Sequence, residues 1–96
     1  MSQSNERTLK DVLTELMNQY RLKQGINESK INAAWERMMG PTIIKHTAQI
    51  RLVRRTLYLV IDSAALKQEL FYGREKIRTM LNEELGEAFL EEVVVK

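Results

Sequence analysis

Residues 48–61 have the sequence AQIRLVRRTLYLVI, and in this part of the chain a strand pattern replaces a helical one. Before it, apolar residues recur at spacings of three and four, whereas from Ala48 they recur at every second position. A period of two is typical of a strand, and the run from Leu57 to Ile61 is rich in residues that strands favour. Two such runs across a short polar connection predict an antiparallel hairpin, with Arg54 and Arg55 at its tip.

Two helices are predicted before the hairpin. Thr8 is a suitable N-cap for the first, whose apolar residues follow the spacing of an amphipathic helix: Leu9, Val12, Leu13, Leu16, Met17 and Tyr20. Gly25 predicts the end of this helix. Asn27 or Ser29 can cap the second helix, which carries Ile31, Ala34, Trp35, Met38 and Met39 on one side. Gly40 followed by Pro41 predicts its end and the start of a short helical turn.

Two more helices and a strand are predicted after the hairpin. Ser63 caps a helix over residues 64–72, Gly73 interrupts it, and a further helix over residues 74–85 ends at Gly86. Residues 90–95 form a third strand, which can pair in parallel with the second because a helical pair separates them. The element order is α-α-β-β-α-α-β. We therefore predict an α+β domain, a three-stranded mixed sheet with helices packed on one face.

Length and composition predict a single domain over residues 8–96, preceded by a flexible N-terminus, residues 1–7. The chain has no cysteine, which excludes disulfides and thiolate metal sites. No apolar run is long enough for a membrane span, and no signal peptide is recognisable. We expect a cytoplasmic protein without a membrane partner.

Catalytic patterns are not found in the sequence. His46 is the only histidine, and no carboxylate lies at ligand-like spacing from it. No serine lies in a G-x-S-x-G motif, and neither glycine-rich phosphate-binding motif occurs. Trp35 shares a helical side with Ile31 and Met38, which favours a core residue over a base-stacking one. We predict a binding protein that is not an enzyme and has no metal or cofactor.

Charge is distributed unevenly along the chain. Residues 45–78 contain eight Lys or Arg against three Asp or Glu, whereas residues 79–96 contain one against five. The basic segment suits a polyanion, and its candidate phosphate contacts are Lys45, Arg51, Arg54, Arg55, Lys67, Arg74 and Lys76. If Leu57 and Leu59 face the core, alternation along the two strands places Tyr58 on the other face of the sheet with Arg51 beside it. Tyr58 is therefore a candidate for stacking on a nucleic-acid base. This hypothesis supposes that the cations share one side of the fold.

Ordinary structural roles are open alternatives for these residues. Arg54 and Arg55 also keep an exposed turn soluble and discourage pairing between sheet edges. Tyr58 also suits a strand that is partly exposed, whatever it binds. A charge asymmetry of this size also arises on solvated surfaces that bind nothing.

Five blocks of sequence resemble the DciA-like family of bacterial proteins. They lie at residues 34–41 (AWERMMGP), 44–47 (IKHT), 57–60 (LYLV), 63–70 (SAALKQEL) and 81–86 (LNEELG). The resemblance implies a fold similar to a KH domain, association with the replicative helicase, helicase loading and affinity for nucleic acid. KH domains clamp nucleic acid with a G-x-x-G loop between paired helices. Here the corresponding junction, residues 72–76 (YGREK), has one glycine.

The leading functional hypothesis is a non-enzymatic adaptor of bacterial DNA replication. It would bind single-stranded or forked DNA and the replicative helicase. One alternative is a protein-interaction module without nucleic-acid binding, acting through an apolar patch or a sheet edge. Another is an RNA-binding KH-like domain.

Overall fold

The structure, a computed structural model, describes residues 7–96; the predicted flexible N-terminus lies outside that range except for Arg7. The elements, in chain order, are helix α1 (Leu9–Lys45), strands β1 (Thr47–Val53) and β2 (Thr56–Ile61), helices α2 (Ala64–Tyr72) and α3 (Arg74–Leu85), and strand β3 (Glu92–Val95). The α+β class and the three-stranded mixed sheet are confirmed. The N-caps Thr8 and Ser63 are also as predicted, each accepting a hydrogen bond from a backbone N–H three residues on.

The predicted helix end at Gly25 is wrong, because α1 continues through this residue. A glycine inside a helix weakens it by about 1 kcal/mol relative to alanine but keeps both backbone hydrogen-bonding groups, so the neighbouring turns carry the helix across it. Asn27 and Ser29 therefore lie inside α1 and do not cap a helix. The break before the hairpin lies at Gly40, with φ 81° and ψ 168°, and Pro41 opens the last helical turns as predicted.

The sheet has the strand order β1-β2-β3. Strands β1 and β2 are antiparallel, and their register is irregular between Thr47 and Gln49. Strands β2 and β3 are parallel, and Leu57 lies opposite Val93. Glu28 of α1 accepts a hydrogen bond from the backbone N–H of Leu52 (3.0 Å), which fastens the helix to strand β1.

A single hydrophobic core lies between the sheet and the three helices. Strand β2 directs Leu57, Leu59 and Ile61 into it. The helices, β3 and the segment between α3 and β3 contribute other buried side chains, among them Ile31, Trp35, Leu81, Leu90 and Val93. Trp35 is the core residue that the sequence predicts, and its indole N–H donates to Thr47 Oγ1 (3.1 Å). All helices therefore cover one face of the sheet. We call the opposite face the open face.

Candidate nucleic-acid interface

The centre of the open face is formed by Arg51 and Tyr58. They lie directly opposite each other on β1 and β2, and both alternate along their strands with residues that face the core. Arg51 is exposed and Tyr58 is half-buried. Antiparallel partners on one face lie about 5 Å apart, so the guanidinium and the phenol ring are neighbours. The sequence prediction that these two residues share a sheet surface is confirmed.

Lys96, the residue that follows β3, joins this pair. Its Nζ lies 5.3 Å from the centre of the Tyr58 ring, within the range of a cation–π contact. Backbone hydrogen bonds with Leu59 (2.9 Å) and Ile61 (2.8 Å) hold Lys96 against β2. Lys96 is not among the site residues predicted from the sequence. Alternation along residues 93–96 places it on the same face as Val94, but only the pairing of Val94 with Tyr58 shows that this is the open face.

These residues line a shallow depression on the sheet, made of Gln49, Arg51, Val53, Tyr58, Val60 and Lys96. An aromatic ring between two cations is the arrangement with which proteins bind single strands, the ring stacking on a base and the cations pairing with phosphates. Glu92 lies opposite Thr56, towards the hairpin tip, and brings a negative charge to that end of the open face. The cationic and aromatic groups at the centre of the open face are therefore Arg51, Tyr58 and Lys96.

Arg54 and Arg55 at the hairpin tip have different surroundings. Arg54 adopts a left-handed backbone conformation with φ 57°, and no hydrogen bond or ion pair of its side chain occurs within residues 7–96. The guanidinium of Arg55 donates to the carbonyls of Phe89 (2.9 Å) and Ala88 (3.0 Å). It also lies 5.5 Å from the centre of the Phe89 ring and 3.7 Å from a carboxylate oxygen of Glu91. Arg55 therefore fastens the segment before β3, and its donors are largely occupied.

The other predicted cations lie away from the open face. Lys67, Arg74 and Lys76 belong to α2 and α3, which cover the opposite side of the sheet. Arg74 donates to the carbonyl of Phe71 (2.8 Å) and lies 4.1 Å from the centre of its ring. Lys45 ends α1 at the start of β1, about 20 Å from the hairpin tip at the spacing of residues in a strand.

The eight predicted residues therefore do not form one continuous surface. Arg51 and Tyr58 share the open face, Arg54 and Arg55 lie at one end of the sheet, and Lys45 lies at the other. The remaining three lie on the helical side. The supposition that the hairpin and the following helices place their cations on one side of the fold is wrong, because β-alternation and helix packing send them in opposite directions.

His46 pairs with Asp62 at the end of the sheet, with Nδ1 2.7 Å from Oδ1. Both side chains are solvent-accessible, and the neighbouring Ser63 hydroxyl accepts the N–H of Leu66 as the cap of α2. The pair is therefore an exposed contact that joins the end of α1 to the end of β2. Across residues 7–96 no three His, Asp or Glu side chains cluster in a way that could hold a metal ion, and none of the helices there is long and apolar enough to cross a membrane.

Comparison with protein families finds one match over nearly the whole chain. The family model described as "Dna[CI] antecedent, DciA" matches residues 8–95. Comparisons with curated proteins and with solved structures find no match. The likeness to a KH domain therefore stays a prediction.

Proposed function

The chain belongs to the DciA family, and from this premise we propose that it is a non-enzymatic adaptor of bacterial DNA replication that binds single-stranded or forked DNA and the replicative helicase. Family membership implies a role in DNA replication and helicase loading. The observation that carries the DNA part is the open face, where Arg51, Tyr58 and Lys96 converge.

The open face suits single strands better than a duplex. Bases of a single strand are free to stack, and one base on an aromatic side chain contributes about 1–3 kcal/mol. Reading a duplex needs an element that enters a groove, and the open face is a shallow surface. With Arg51, Lys96 and the neighbouring Arg54, about two to three phosphates can be neutralised. The interface is therefore expected to be weak and strongly dependent on salt.

The test is binding of a fluorescein-labelled oligothymidylate, followed by anisotropy over a series of salt concentrations. Two to three phosphate contacts predict a slope of log affinity against log salt of about −1.4 to −2. Arg51→Glu is expected to weaken binding at low salt by roughly tenfold or more. Lys76→Glu, a matched charge reversal on the helical side, is expected to weaken it much less. Absence of binding at low salt, or equal loss in both variants, would refute the open face as the DNA site.

The helicase part is tested separately, by capture of purified replicative helicase on the immobilised chain after nuclease treatment. Capture without DNA supports a direct protein contact, and loss of capture on nuclease treatment contradicts it. If the helicase is captured and no oligonucleotide binds, the chain is a protein-interaction module, and the exposed apolar residues of α1 favour this second candidate. Competition between matched RNA and DNA oligomers distinguishes the RNA-binding alternative.

A further inference from the structure

The first half of α1 projects from the body of the protein. We call its residues 9–24 the N-terminal arm. The molecule measures 66 × 22 × 20 Å, and its long dimension is explained by α1, since 37 helical residues extend about 55 Å. Six apolar side chains along one side of the N-terminal arm are between 37% and 74% exposed: Leu9, Val12, Leu13, Leu16, Met17 and Tyr20. No other part of the described chain covers them.

This exposed stripe continues the side of α1 that is buried further along. Tyr20 is followed at intervals of seven, four and three residues by Asn27, Ile31 and Ala34, all of which are buried. The same side of one helix is therefore in the core in its second half and in solvent in its first half. Contiguous apolar patches larger than a few hundred Å² are rare on monomers and mark interaction sites. Short helices are also marginal in water and gain most of their stability from packing.

The charges beside the stripe indicate what covers it. Lys10 follows Leu9 by one residue and Arg21 follows Met17 by four, so at about 100° per residue both lie along one edge of the stripe. Glu15, three residues after Val12, lies beside the other edge and pairs with Arg7 (3.1 Å), and Lys23 pairs with Glu87 (3.2 Å). Within residues 7–96 the charges beside the stripe that have no ion-pair partner are therefore the two cations, Lys10 and Arg21.

A second copy of the chain fits this pattern poorly. Two such arms packed antiparallel bring Lys10 of one copy against Arg21 of the other. Two arms packed in parallel bring these cations only against Glu15, which already pairs with Arg7 (3.1 Å). Like charges along a helix contact are destabilising. An acidic partner avoids this repulsion and gives each cation a counter-charge.

We infer that the N-terminal arm docks into an apolar groove rimmed by Asp and Glu side chains on a partner protein. The leucines and Met17 fill the groove, and Lys10 and Arg21 face its acidic rim. This is the mode in which an amphipathic helix binds a groove through anchors at i, i+3, i+4 and i+7. The inference does not depend on DNA binding by the open face, since the arm and the sheet are separate surfaces.

The test uses the full chain and two designed amphipathic peptides, each with leucines on one side of the helix. Glutamates flank the leucines in one peptide, and lysines replace every glutamate in the other. Binding of labelled peptide at low salt is measured by anisotropy. We expect the acidic peptide to bind at least tenfold more tightly. The double substitution Leu13→Ser, Leu16→Ser should weaken binding tenfold or more.

Two variants serve as controls. Leu22→Ser removes an exposed leucine about 200° from Tyr20, on the other side of the same arm, and should leave peptide binding within twofold. Lys10→Glu with Arg21→Glu should reverse the preference towards the lysine peptide. All substituted residues are exposed, and circular dichroism checks that each variant retains its helix content. Equal affinity for both peptides, or no binding of either, overturns the inference. So does self-association of the chain in sedimentation that the Leu13→Ser, Leu16→Ser variant abolishes.

Discussion

Arg51 and Tyr58 lie directly opposite each other on antiparallel strands, on the sheet face that no helix covers. The pairing brings a cation beside an aromatic ring, and Lys96 adds a second cation 5.3 Å from the centre of that ring. Strands β1 and β2 and the residue after β3 each supply one side chain, so the arrangement depends on the register of the whole sheet. The first two predictions concern this site.

Replacement of Tyr58 by alanine should weaken binding of oligothymidylate about 5- to 100-fold, because base stacking contributes about 1–3 kcal/mol. Tyr58→Phe keeps the ring and should bind within about twofold of the parent chain. Anisotropy titrations at one low salt concentration measure both variants. A loss in Tyr58→Phe equal to that in Tyr58→Ala would show that the hydroxyl, and not stacking, matters.

Replacement of Lys96 by glutamine should reduce the salt dependence of DNA binding as well as the affinity. One phosphate contact on a single strand accounts for a slope of about 0.7, and the slope should decrease by that amount. Lys67→Gln, the same change on α2, is the matched control and should leave the slope unchanged. An unchanged slope in Lys96→Gln means that its ammonium group does not contact phosphate.

The two arginines of the hairpin tip should differ in their effect on folding. Arg55→Ala removes two hydrogen bonds to the carbonyls of Ala88 and Phe89, and should lower the free energy of unfolding by about 1–2 kcal/mol. Arg54→Gly removes the strain of an arginine in the left-handed conformation, but glycine also raises the conformational entropy of the unfolded chain. The two effects on the free energy of unfolding should cancel to within about 0.5 kcal/mol. Urea denaturation followed by circular dichroism measures both. Equal destabilisation would show that the hydrogen bonds of Arg55 to the segment before β3 do not stabilise the fold.

Replacement of Gly25 and of Gly86 by alanine should change the stability of the protein in opposite directions. Gly25 lies inside α1 with open space around it, so Gly25→Ala should raise the free energy of unfolding by about 0.5–1 kcal/mol. Gly86 ends α3 with φ 78°, and Gly86→Ala should lower the free energy of unfolding by about 1–2 kcal/mol. Thermal melts of both variants provide the comparison. Destabilisation by Gly25→Ala would indicate that α1 breaks at residue 25.

Thr47 connects the buried indole of Trp35 to the end of α1. Its hydroxyl accepts the indole N–H (3.1 Å) and donates to the carbonyl of Ile43 (2.6 Å). Thr47→Val leaves the indole N–H unpaired in the core and should cost about 1–3 kcal/mol of stability. Thr47→Ser keeps the hydroxyl and should cost less than half as much. Denaturation monitored by Trp35 fluorescence distinguishes the two, and equal losses would assign the effect to packing of the methyl group.

Local chemistry explains why much of the fold was predictable. Ser63, Gly73 and Gly86 fix helix boundaries through their own hydrogen bonds or backbone angles, and alternation over residues 48–61 fixes the hairpin. The predicted helix end at Gly25 is wrong because local sequence does not settle it. A single glycine in a long helical pattern is compatible with a helix end and with a continuous helix, and which of the two forms depends on what surrounds the arm.

The sequence alone predicts the strands, the last two helices and the two-residue alternation that places Arg51 and Tyr58 on one side of the hairpin, because these follow from interactions a few residues apart. The folded structure is needed to show which side of the sheet the helices cover, that Lys96 lies beside Tyr58, that Arg55 is occupied by the segment before β3, and that nothing else within residues 7–96 covers the apolar stripe of α1. Each of these is a relation between residues distant in the chain. Such a relation depends on strand register and on which faces pack together, and no local pattern specifies either.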